Sequence, residues 1–136
     1  MDYKTVFIVD PVRGERLQLA KFLKQEKITI ATFVKLTDCF KKNNLLKCDV
    51  VIYVLRQGKT ELKALHKMTP REKNIPFVIV GDPDLPDIPL DEWQQKGFKS
   101  IDLALSKEKT KEITYNLISP EGPVPERKPL EPITLP

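Results

Sequence analysis

Apolar residues in this chain gather in five short runs, separated by longer stretches in which they recur every three or four positions. Residues 5–9 read TVFIV, a continuous β-branched and aromatic run that predicts a strand buried on both faces. Residues 28–34 predict a second strand and 50–55 a third. Residues 77–80 predict a fourth, and 98–105 contain a fifth. Between the first two strands, Val12, Leu19, Phe22 and Leu23 form one broad apolar face of a helix over about residues 12–25. A short helix is predicted over 37–43. Another carries Leu62, Leu65 and Met68 and ends before Pro70. The closing helix spans about 106–117, with Ser106 as its N-cap. Strands alternating with helices at this spacing predict an α/β fold: a parallel sheet, right-handed crossovers and helices on both faces.

The alternation is interrupted twice. Between Gly81 and Gly97, Pro83, Pro86 and Pro89 recur at three-residue spacing. Proline fixes its own φ and turns the preceding residue away from helix, so only residues 90–96 can be helical there. Trp93, the only tryptophan, lies on that shortened helix among Asp82, Asp84, Asp87, Asp91 and Glu92. It is read either as a core ring or as an aromatic anchor at an interface. After Ile118 the chain reads SPEGPVPERKPLEPITLP and holds half of the 12 prolines. The domain reading is therefore 1–118 followed by a proline-rich tail or linker, 119–136. The tail is a spacer, a ligand for a partner's groove, or an extended strand laid along the domain.

Composition narrows the function classes. The 136 residues suit one domain plus a tail. No apolar run approaches a membrane span and the first residues lack a signal-peptide pattern, so the expectation is a cytoplasmic protein without membrane contact. Cys39 and Cys48 have neither a CxxC nor a zinc-ligand spacing and are read as packed, reduced thiols. The net charge of +4 comes from lysines interleaved with acids. That is the pattern of solvated helix faces, and no helix-turn-helix or other reading element points to nucleic acid. His66 is the only histidine and falls on a predicted helix between lysines. No glycine-rich phosphate loop is present.

Four segments, KTVFIVDP (4–11), CDVVIYVLR (48–56), NIPFVIVGD (74–82) and KGFKSIDLAL (96–105), together resemble the bacterial response-regulator receiver domain over residues 4–117. The resemblance implies a flavodoxin-like five-stranded sheet in the order 2-1-3-4-5. It also implies where a phosphorylation site would stand. The family's pair of metal-binding acids falls on Asp10 and Pro11, its phosphate-accepting aspartate on Val54, and its Ser/Thr after the fourth strand on Gly81. Its lysine after the fifth strand falls on Ala104 and its switch aromatic on Ile101. Phosphoryl transfer to aspartate needs a carboxylate nucleophile, a metal across the oxygens and a fixed cation or donor. Val54 offers no nucleophile, Gly81 no hydroxyl and Ala104 no charge. The chain thus resembles a degenerate, pseudo-receiver member, and Asp10 is read as a strand-end acid capping the following turn or helix.

The resemblance to a two-component signal-transduction module implies a non-enzymatic signalling or scaffold protein with no metal and no cofactor, acting by protein contact. Receivers dimerise or dock effectors through the helix before the fifth strand, that strand and the closing helix. Leu90, Trp93, Ile101 and Leu103 are accordingly the candidate interaction face for a protein partner or a homodimer. Two alternatives stand beside this reading. Arg13 and Arg16, near the start of the first helix, are candidate contacts for a small anion or nucleotide held in the degenerate pocket. An atypical regulator would accept phosphate on Asp49 or Asp102 instead.

Overall fold

The computed structural model describes residues 3–42, 48–56, 59–82 and 90–118. Five parallel strands, β1 (Lys4–Val9), β2 (Ile28–Phe33), β3 (Val50–Val54), β4 (Phe77–Val80) and β5 (Ile101–Ala104), form one sheet in the order β2-β1-β3-β4-β5. Among the described residues the helices are α1 (Arg13–Leu23), α2 (Leu36–Lys42), α3 (Lys59–His66), α4 (Pro70–Lys73), α5 (Leu90–Gln94) and α6 (Lys107–Ile118). This is a flavodoxin-like α/β arrangement, as the strand and helix periodicities and the receiver resemblance together predict. No described helix is long and apolar enough to cross a membrane.

The continuous apolar runs are explained by a core on each side of the sheet. Val6, Ile8, Val50, Ile52, Val54, Val78 and Ala104 face Leu19 and Leu23 of α1 and Tyr115 and Ile118 of α6. Their neighbours Phe7, Val9, Val51, Tyr53, Phe77, Ile79 and Ile101 face Leu36 and Cys39 of α2, Leu65 of α3 and Trp93 of α5. Each strand therefore supplies alternate side chains to two different cores. β2 sits at the sheet edge, and only Ile28 of its residues is fully buried.

Local chemistry fixes several boundaries. Ser106 Oγ accepts from Lys109 N at 3.0 Å, which is the predicted N-cap of α6. The Tyr115 hydroxyl donates to the Leu23 carbonyl and ties α6 to the end of α1. Helix α1 begins one residue later than predicted: Val12 is its N-cap, in extended backbone, and its side chain is exposed rather than part of the apolar face. Helix α3 ends at His66, and Pro70 opens a helix of its own. Thr69 and Glu72 form a capping box in which Thr69 Oγ1 accepts from Glu72 N at 3.2 Å and Glu72 Oε1 accepts from Thr69 N at 2.9 Å. After α5 the chain turns at Gly97, whose φ of +96° suits glycine, and enters β5.

Candidate functional site

In a parallel sheet of this kind ligands are met outside the carboxyl ends of the strands, where the strand order reverses. Here that rim begins with Asp10, immediately after β1. Its backbone N–H donates to the Phe33 carbonyl at 3.0 Å, extending the β1–β2 ladder by one bond. Its carboxylate is therefore held at the mouth between β1 and β3, only 1% exposed.

Both oxygens of that carboxylate are engaged from within the chain. Oδ1 accepts from Val12 N at 3.0 Å, closing the turn that leads into α1. Arg56, two residues past β3, reaches across with Nε to Oδ1 at 3.0 Å and Nη2 to Oδ2 at 2.6 Å. This is a bidentate fork-to-fork pair, the strongest form of charge-assisted hydrogen bonding open to a carboxylate. Arg16 of α1 adds a bond from Nη1 to the Asp10 carbonyl at 3.0 Å. The Arg56 pKa is raised above its ordinary value, first by the hydrogen bonds to Asp10; partial burial opposes this, and the charges of Asp10, Glu15 and Asp82 add to it. Arg56 is itself fixed from the other side, because its backbone N–H donates to Glu61 Oε2 at 3.1 Å in the first turn of α3.

A cavity of about 300 Å³ opens beside this pair. Asp10, Val54, Arg56 and Gly81 line it, together with Glu15, Asp82, Ser106 and Lys107. The strand ladder explains the grouping, since Val54 pairs with Val80 and Val80 with Ala104, and Gly81 N donates to the Ala104 carbonyl at 2.9 Å. Of the six positions assigned to a degenerate phosphorylation pocket, the structure brings Asp10, Val54 and Gly81 together at the rim. Ala104 is buried behind them against the α1/α6 core. Pro11 lines a different hollow, with Val34, Leu36 and Tyr53. Ile101 begins β5 at the far end of the strand and packs in the opposite core.

The remaining candidates are distributed as follows. Arg16 spends its guanidinium on the Asp10 backbone, and neither it nor the exposed Arg13 lines the cavity. Asp49 lies at the amino end of the sheet, where Oδ2 accepts from Thr5 N at 2.8 Å, remote from the rim. Asp102 pairs with Val78 in mid-strand. Trp93 is 3% exposed, with Phe98 and His66 against its ring at centroid distances of 6.0 and 4.4 Å. It is a core residue, the first of the two readings open from sequence, and its ring is not presented as a surface anchor. Ile101 is buried with it and Leu103 is half-buried against the same core. The Leu90 side chain, the prolines at 83, 86 and 89, Asp84, Asp87 and the tail 119–136 lie outside the described residues.

Sequence reasoning passed over Arg56. The signal was present: a cation two residues past the third strand, on the rim that also carries the single strand-end acid. It is visible only once β1 and β3 are known to be neighbours. Among the described residues no group of three or more His, Cys, Asp or Glu is placed to hold a metal ion. No protein-family model and no curated protein sequence matches the chain.

Proposed function

We propose that this chain is a phosphorylation-independent signalling or scaffold module that works through protein contacts. The reading rests on the Asp10–Arg56 pair. A receiver-type site needs its strand-end acid free to take a metal ion, and here a guanidinium occupies both oxygens of that acid at 3.0 and 2.6 Å. Val54 stands where the resemblance places the nucleophile. A rim whose charge is neutralised from within the chain has no ligand-dependent state to relay, which suits a constitutive contact surface.

Incubation with acetyl phosphate and magnesium, read by intact-mass spectrometry, tests this. The expected result is no added phosphoryl group. A stoichiometric, magnesium-dependent phosphoaspartate overturns the proposal.

The second reading is a small-anion or nucleotide sensor. The observation in its favour is the 300 Å³ cavity with Lys107 and Ser106 on its wall. Glu15 and Asp82 line the same space and oppose an anion, while the Arg56 guanidinium there is already paired to Asp10. A ligand that binds only the native state raises the unfolding midpoint. A thermal-shift panel of phosphate and nucleotides is expected to give no change. A saturable shift lost in Lys107→Ala would select the sensor.

A further inference from the structure

A groove of about 670 Å³ opens between α2 and α3 and shares no lining residue with the rim cavity. Its volume lies within the roughly 300–1,000 Å³ that binding pockets span. The floor is apolar: Leu36 and Phe40 come from α2, Ala64 from α3, and Met68 from the turn that follows. Phe40, Ala64 and Met68 are each only partly buried against the core beneath them, so the floor retains apolar surface that water still reaches.

Its edges are basic. Lys41 stands on the α2 side, and Lys63 and Lys67, four residues apart, on the α3 side. All three are exposed, and none has an ion-pair partner among the described residues. Among the described residues Glu72 is the one acid on the lining.

We propose that this groove docks an acidic amphipathic helix of a partner protein. A channel between two helices accepts a third as ridges accept into grooves, with the apolar stripe of the incoming helix on Phe40, Ala64 and Met68. Glutamates or aspartates flanking that stripe meet Lys41 on one side and Lys63 and Lys67 on the other. Methionine adapts its shape to different apolar anchors. A second copy of this chain is the poorer occupant, because its formal net charge of +4 brings the same sign to the lysine edges. This inference rests on the reading of the chain as a protein-contact module and names the surface and the partner chemistry.

The test uses the full chain and a synthetic helical peptide with leucine and phenylalanine at i, i+3, i+4 and i+7 and glutamate on its flanks. A matched peptide carries lysine in place of every glutamate. Amide chemical shifts and peptide anisotropy are followed during titration. The acidic peptide is expected to bind saturably, to shift the amides of Leu36, Phe40, Ala64 and Met68, and to weaken as salt rises. The double change Lys63→Glu, Lys67→Glu, at exposed positions, is expected to reduce affinity by about tenfold with the fold retained by circular dichroism. Absence of binding, shifts centred elsewhere, or equal binding of the lysine peptide overturns the proposal. So does a concentration-dependent dimer in sedimentation whose formation shifts the same groove amides, which assigns the groove to a second copy. A negative outcome here leaves the acetyl phosphate result untouched. A phosphoaspartate, conversely, removes the functional reading without moving peptide binding.

Discussion

Asp10 accepts at its carboxylate from the Val12 amide and from Nε and Nη2 of Arg56, and at its carbonyl from Arg16. Removing one partner of a buried ion pair leaves the other charge stranded, at a cost of about 3–5 kcal/mol when both are fully enclosed. Arg56 is 36% exposed, so solvent screens part of that loss. Arg56→Gln is expected to destabilise the fold by about 2 kcal/mol in urea titration, in the range of hydrogen bonds to charged groups. Adding Asp10→Asn should recover part of it, giving a double-mutant coupling of about 1 kcal/mol or more. Additive losses would mean that the two side chains do not act as a pair. Asp10 was legible in the sequence as a strand-end cap, and the Val12 bond bears that out. Its cation was not, because local patterning carries no information on a contact between residues 46 positions apart.

The two thiols give a second expectation at this scale. Burial pushes Cys48 up from 9.0 to about 12, and raises Cys39 and the Tyr53 hydroxyl as well. With folded values above unfolded ones, the unfolded chain releases these protons first and binds fewer of them. Stability is therefore full below about pH 9 and falls as pH climbs toward 12. Urea midpoints measured across that window should decline, and Cys39→Ala with Cys48→Ala should flatten the slope. A midpoint that rises with pH there would contradict the burial of these groups.

Among the elements, the strands were the most legible. Runs such as Val50–Val54 and Phe77–Val80 face a core on each side and so show no polar alternation to confuse their reading. Short helices were less so. The sequence marks Pro70 as the limit of α3, which ends earlier, at His66; Pro70 instead opens α4, and the signal for that is Thr69 followed three residues later by Glu72. Thr69→Ala is expected to cost about 1 kcal/mol by removing the cap. Helix α5 shows how tertiary neighbours choose between two readings: Trp93 reads from sequence as a core ring or an interface anchor, and its ring packs between Phe98 and His66. Trp93→Ala should accordingly lower stability by about 3–5 kcal/mol. A folded Trp93→Ala variant of unchanged stability would contradict its place in the core.

Across the whole molecule, the sheet order 2-1-3-4-5 brings the ends of β1, β3 and β4 to one mouth, and at that mouth the chain supplies its own cation. The α/β class was legible from two periodicities and the order of elements, and the strand order 2-1-3-4-5 only from the receiver resemblance. The candidate site was half legible: the resemblance to a receiver marks Val54, Gly81 and Ala104 as positions without nucleophile, hydroxyl or charge, while what fills the space depends on tertiary neighbours. The proposed phosphorylation-independent reading predicts that Val54→Asp alone creates no phosphoacceptor, since Arg56 still holds Asp10 and Ala104 supplies no ammonium. The most direct measurement is a two-dimensional amide spectrum of the unaltered protein titrated with magnesium and beryllofluoride, a phosphoryl mimic. The account predicts that the amides of Asp10, Val54, Arg56 and Gly81 stay in place at saturating reagent, whereas concerted shifts of these residues together with β5 and α6 would contradict it.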